Sequence, residues 1–124
     1  MKKFIVAIAA ISTFAAGAVS AQNVSIVDQY GLGNGQLTVQ SGANFAYTGQ
    51  TGGFNGSITG QNGTGNAAAT LQAGVGNGSI TAQAGHLNGA ETWQSGTGHL
   101  SDTNQLGVGN MSLTIQSDGV SPHP

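Results

Sequence analysis

The segment QNGTGNAAATLQAGVGNGSITAQAGHLNGAETWQ, residues 61–94, decides the fold of this chain, because glutamine returns in it every eleven residues, at Gln61, Gln72, Gln83 and Gln94. Six residues before each stand Asn55, Asn66, Asn77 and Asn88; two before each stand Thr59, Thr70, Thr81 and Thr92. The same register extends outward in both directions. Toward the N terminus it takes in Asn44, Thr48 and Gln50, then Asn34, Thr38 and Gln40, then Asn23, Val27 and Gln29. Toward the C terminus it takes in His99, Thr103 and Gln105, then Asn110, Thr114 and Gln116. Nine units result, and only the step from Gln40 to Gln50 is one residue short. Self-similarity at a fixed period predicts a repeat architecture, in which similar units stack instead of folding around one core. Function is then to be sought in the stack before any pocket.

Each unit runs seven residues from Asn to Gln, followed by a link of four. Glycine stands second in the links, at Gly31, Gly52, Gly63, Gly74, Gly85, Gly96 and Gly107, and as Gly42 in the shortened link Ser41 to Ala43. Glycine there suits a tight reversal of the chain, and a link is where a deletion leaves strand register intact. The seven-residue segments alternate with period two, as strands do. One face repeats Asn, a small residue, Thr and Gln. The other changes from unit to unit and carries the strand acids Asp28, Glu91 and Asp102 among residues such as Ile58, Leu71 and Trp93. A shared interior has to repeat, whereas an outer surface need not. The polar face is therefore placed inside, with Asn and Gln stacked as amide ladders.

A second period points to two sheets. Ala46, Ala68 and Ala90 alternate with Ser57, Ser79 and Ser101 along the middle units, a super-repeat of 22 residues. The expected fold is all-β: a two-sheet β-solenoid of stacked strand-turn-strand units, with coils about 4.8 Å apart. Antiparallel hairpins at the Asn-Gly pairs would be the competing fold. Four of those five pairs, however, open a strand inside the register, and only Asn62-Gly63 lies in a link. In the two-sheet arrangement Glu91 falls between Ala69 and Leu113, so no acid lies directly over another and like charges do not oppose stacking.

The chain opens as a secretory precursor does. Lys2 and Lys3 precede an apolar run from Phe4 to Val19, and Val19-Ser20-Ala21 offers a small-residue cleavage pattern, giving a signal peptide over residues 1–21. The solenoid is placed over 22–116 and a tail over 117–124, where Pro122 and Pro124 cannot donate to a ladder. Lys2 and Lys3 are the only strong cations. Removing their +2 from the formal net charge of −2 leaves −4, carried by Asp28, Glu91, Asp102 and Asp118. Such a chain is unsuited to nucleic acid, whose binding requires neutralised phosphates. Cysteine is absent, so no disulfide supports the fold. No apolar stretch long enough to span a bilayer follows residue 21, and no integral membrane association is expected.

The chemistry-bearing residues do not form a reaction centre. His86, His99 and His123 are the only imidazoles, and none has metal-ligand spacing with another. Nothing holds a nucleophile beside a base. The reading is of no enzyme, no metal and no cofactor.

The repeat resembles the curlin repeat, the Ser-x5-Gln-x-Gly-x2-Asn-x-Ala-x3-Gln pattern of bacterial curli amyloid subunits. Gln61, Gly63, Asn66, Ala68 and Gln72 fit its Gln-to-Gln part, as do Gln83, Gly85, Asn88, Ala90 and Gln94. Gln105, Gly107, Asn110, Ser112 and Gln116 fit with Ser in place of Ala. Asn55, Asn77 or His99 stands where the motif opens with Ser, and the third interior position is Thr where curlins often have an aliphatic residue. The resemblance covers residues 23–116. It implies a secreted subunit that polymerises outside a Gram-negative cell into a cross-β fibre of the biofilm matrix, with itself as principal partner and curli-type secretion and nucleation proteins beside it. A minor nucleator or surface adhesin of the same type is the alternative, and a monomeric ice-binding type of solenoid a third.

Edges support polymerisation independently of the resemblance. An open solenoid leaves a bare strand edge at each end, and a bare edge templates another chain. An odd number of strands also means that copies continuing one stack are related by a half-turn.

Overall fold

Short alternating segments separated by glycine links give strands almost throughout the described chain. The computed structural model describes residues 22–118; residues 1–21, where a signal peptide is expected, and residues 119–124 of the expected tail lie outside them. Within that span the chain is all-β, with β1 Val24–Leu32, β2 Gly35–Gly53, β3 Gly56–Val75, β4 Gly78–His86, β5 Gly89–Thr97, β6 Leu100–Val108 and β7 Met111–Ser117. Every pairing is parallel, as a β-solenoid requires and antiparallel hairpins do not allow.

The pairings fall into two series. In one, β1 pairs with the second half of β2, that with the second half of β3, and the series continues through β5 to β7. In the other, the first halves of β2 and β3 pair, and the series continues through β4 to β6. Like lies on like throughout: Thr48 on Thr70, Gln50 on Gln72, Gly52 on Gly74. The pairing partner is one 22-residue step away except across the shortened link, where the register shifts between Ala43 and Phe45.

Nine sequence units thus appear as seven strands. The two long strands run through their internal links, because link residues pair as well: Ser41 with Asn62, Gly42 with Gly63, Ala43 with Thr64. Gly42 and Gly63, at φ 101° and 119°, turn the chain without interrupting the ladder. On Gly52, at φ 116°, any Cβ would collide with the carbonyl oxygen of Gly74 one rung on. That close backbone approach is the second reason for glycine at this position. Phe54 and Leu87 adopt φ 56° and 57° where other links carry glycine, a conformation side chains seldom enter.

The interior is polar. Buried apolar side chains amount to Ala46, Ala68 and Ala90, while Thr48, Asn55, Asn66, Thr70, Asn77, Thr81, Asn88 and Thr92 are at most 1% exposed. Ile58, Ile80, Trp93, Leu113 and Ile115 face outward, between 41 and 69% exposed. The repeating face lies inside and the varying face outside.

Candidate functional site

Stacking identical amides at one rung spacing lets each glutamine bond its copy. In the first series Gln29 donates from Nε2 to Oε1 of Gln50, Gln50 to Gln72 at 2.7 Å, Gln72 to Gln94 at 2.8 Å and Gln94 to Gln116 at 2.8 Å. In the second, Gln40 donates to Gln61 at 2.6 Å, Gln61 to Gln83 at 2.8 Å and Gln83 to Gln105 at 2.7 Å. The same Nε2 groups also reach a backbone carbonyl at the start of the preceding unit. Gln61 reaches Phe45 at 2.9 Å, Gln72 reaches Gly56 at 3.0 Å, Gln83 reaches Ala67 at 3.1 Å and Gln94 reaches Gly78 at 2.8 Å. Each such bond joins one pairing series to the other, so the glutamines bind in two directions at once.

The asparagines run with the opposite polarity. The backbone N–H of Asn55, Asn66, Asn77, Asn88 and Asn110 donates to Oδ1 of Asn34, Asn44, Asn55, Asn66 and Asn88 on the rung before, at 3.0–3.2 Å. Their Nδ2 groups hold the links. Asn77 donates to Ala73 O at 3.3 Å and to Gly96 O at 3.1 Å; Asn88 donates to Ala84 O at 3.4 Å and to Gly107 O at 3.1 Å. Ladder asparagine and turn glycine therefore form one unit, a coupling absent from the sequence register alone. Asn44 reaches Ser41 O at 2.8 Å, three residues back instead of four, and so absorbs the shortened link.

Thr and Ser are stacked differently. The hydroxyls of Thr48, Thr70, Thr92, Ser57 and Ser79 are buried without a hydrogen-bond partner. Their columns pack by shape, and the bonded ladders are made by amides. Val27, Thr38, Thr114 and the remaining end-unit members Asn23, Gln29, Asn34, Gln40, Asn110 and Gln116 keep the same register but are less than fully buried.

His99 interrupts one asparagine column. Its backbone N–H donates to Asn77 Oδ1 at 3.0 Å, as an asparagine's would. Its Nε2 lies 3.1 Å from Ser95 O, four residues back, where the asparagines place Nδ2. The same nitrogen lies 3.1 Å from Asp118 Oδ1. Asp118 Oδ2 accepts from Thr97 N–H at 2.9 Å, and the carboxylate stands over Gly96 where earlier rungs have the next glycine carbonyl. Composition gave no reason to single out Asp118; its register position, 22 residues beyond Gly96, was the available signal.

Outside, Tyr47 donates its hydroxyl to Asp28 Oδ2 at 3.3 Å, and Trp93 donates Nε1 to Glu91 Oε1. Burial, and then the Asp28 carboxylate, push the Tyr47 phenol above its ordinary value of 10.0. A shallow hollow of about 510 Å³ runs along this surface past Tyr30, Tyr47, Leu71, Trp93 and Ile115. Among the described residues, no group of three or more His, Cys, Asp or Glu could hold a metal ion, and no helix is long and apolar enough to cross a membrane. No known family model matches the chain, and no curated protein matches it significantly.

Proposed function

We propose that this chain is a secreted structural subunit that self-assembles into extracellular curli-like amyloid fibres of the biofilm matrix, serving adhesion and aggregation. In this reading the two pairing series are two facing sheets, and the fibre continues them from one copy into the next. The observation that carries it is the polarity of the amide ladders. At the C-terminal end Gln105 and Gln116 point donors outward and Asn110 presents an acceptor. At the N-terminal end Gln29 and Gln40 present acceptors, and the strands open with backbone donors at Asn23 and Asn34. Head meets tail with donor against acceptor, whereas head meets head with like against like. An interface of this kind that does not close on itself builds an open filament.

The curlin resemblance supplies the cellular setting of the proposal, and the segment 1–21, read as a signal peptide from its own residues, supplies export from the cytoplasm. An ice-binding surface draws no support, since it would need threonine columns outside and Thr48, Thr70 and Thr92 are buried. The test is purified chain beginning at Gln22. The reading expects fibres after a lag, with a cross-β reflection near 4.8 Å, that sediment and seed fresh protein. A chain that stays monomeric at high concentration for days would overturn it. Seeding of a separate major subunit at low ratio, without fibres of its own, would move the assignment to nucleator.

A further inference from the structure

Strand alternation puts residues two apart side by side on one face. On the outer face of the second pairing series these neighbours compensate in size. Ile58 and Ile80, 47 and 41% exposed, form a ridge along the stack. Two residues on, Gly60 and Ala82 leave a shallow groove of about 410 Å³ beside it. A Cβ built on Gly60 would meet nothing within 4 Å. One rung further the same two columns carry Asp102 and Asn104, and Asn104 donates from Nδ2 to Asp102 Oδ1 at 2.9 Å. The amide keeps a second N–H to give. Among the described residues, Asp102 is the single carboxylate on this face.

Such a face is complementary to itself. A two-fold axis parallel to the stack, between the ridge and groove columns, sets each ridge against the groove of a second copy. Rung by rung, Ile58 then meets Gly60, Ile80 meets Ala82, and Asp102 meets the free N–H of Asn104. A copy stacked the other way would set Asp102 against the apolar Leu37. In the half-turn stack the first series comes to the same side in the next subunit, and its corresponding columns follow the same rule. They set Tyr47 beside Gly49, Leu71 beside Ala69, and Glu91 beside the Trp93 that donates to it. Asp28 departs from the rule, since Ile26 would face it, and takes its donor from Tyr47 of its own copy.

We propose that this face is a lateral interface between copies of the chain. Two parallel fibres lie side by side, the Ile58–Ile80 ridge of each in the Gly60–Ala82 groove of the other. The side chains interdigitate as between paired cross-β sheets, about 10 Å apart. Four rungs of seven-residue strand cover about 23 by 19 Å, or about 440 Å² per copy. A pair buries about 900 Å², short of the roughly 1,200–2,000 Å² of stable complexes. Two free chains therefore do not stay paired, whereas a fibre repeats the contact and its contacts add. The inference rests on the polymerisation proposed above and adds a second direction of assembly to it.

The experiment measures mass per length of unstained fibres by scanning transmission electron microscopy, beside the rate of seeded elongation. Wild type gives two chains per about 22 Å of fibre, where a single stack gives one. Gly60→Leu with Ala82→Leu fills the groove and leaves the interior columns alone, so it elongates within about twofold of wild type but at half the mass per length. Asn104→Asp sets carboxylate against carboxylate across the pair and also yields single stacks at low ionic strength. Exchanging the columns, by Ile58→Ala, Gly60→Ile, Ile80→Ala and Ala82→Ile, restores the doubled mass, because the axis maps one column onto the other. Wild-type fibres of single-stack mass would overturn the proposal, as would a filled groove that keeps the doubled mass or exchanged columns that stay single. If the filled groove abolishes elongation, Asn104→Asp decides, and doubled mass in that variant overturns the proposal. Absence of wild-type fibres would instead count against the polymerisation itself.

Discussion

Replacing Gln83 by alanine tests the interior ladder at its centre. Gln83 is 2% exposed and takes part in three hydrogen bonds: to Gln105 Oε1 at 2.7 Å, to Ala67 O at 3.1 Å and from Gln61 Nε2 at 2.8 Å. At about 1 kcal/mol net for each bond the loss is about 3 kcal/mol. Gln105 Oε1 and one Gln61 N–H are also left inside without a partner, which raises the total to about 4–5 kcal/mol. Against a total stability of about 5–15 kcal/mol for a domain, that is a large fraction. The comparison is Leu71→Ser on the outer, half-buried face, where the loss is about 1 kcal/mol of apolar transfer. Urea unfolding of the chain from Gln22, followed by far-ultraviolet circular dichroism, should show a much lower midpoint for Gln83→Ala than for Leu71→Ser. In seeded assembly the pair Gln72→Ala and Gln83→Ala should likewise slow growth more than Leu71→Ser with Ala82→Ser. Equal effects, or the reverse order, would refute the assignment of stability to the amide columns.

Other substitutions separate the roles of neighbouring positions. Gly52→Ala introduces a Cβ into the Gly74 carbonyl at a positive φ and should cost at least about 3 kcal/mol, by backbone strain and lost pairing. Gly60→Ala meets open space at an ordinary φ and should be neutral or stabilising by about 0.5 kcal/mol in the same unfolding measurement. Thr70→Val removes a buried hydroxyl that has no partner at nearly constant shape, so a rise in stability of about 1 kcal/mol is expected; destabilisation would mean the hydroxyl is bonded. The raised Tyr47 pKa favours the neutral phenol in the fold. Its contribution is complete below the unfolded value of about 10 and is lost as pH rises through the folded value. Asp28→Asn should lower the Tyr47 titration, followed by phenolate absorbance, while burial keeps it partly raised; an unchanged titration would remove Asp28 as a cause.

Much of the fold could be read from the glutamine register, because stacking converts sequence period directly into spatial pairing. Strand direction, the 22-residue step and the site of the irregular link all followed from Gln29, Gln40, Gln50 and their successors. The orientation of the faces required a physical argument against ordinary patterning. Invariance decided it, since Ile58 or Trp93 may change on a surface while Asn66 and Gln72 must match the rungs beside them. What the register could not convey was hydrogen-bond direction. Asn and Gln bear the same amide, yet Gln donates to the glutamine of the next rung whereas Asn offers its Oδ1 to the next rung's backbone N–H, a difference set by side-chain length and the groups in reach. Nor could it separate Thr70, which fills space, from Gln72, which bonds. Asp118 lay hidden because it stands outside the seven-residue pattern, and its contact with His99 exists only in three dimensions.

A high-resolution reconstruction of the assembled fibre tests the central claim most directly. Nine units shared between two series advance the stack by four and a half rungs, so the account predicts a half-turn and a rise of about 22 Å per subunit. Unbroken Gln columns should run inside, with the Asn columns beside them interrupted at His99. Pure translation between subunits, or apolar faces turned inward with the amides at the surface, would contradict it.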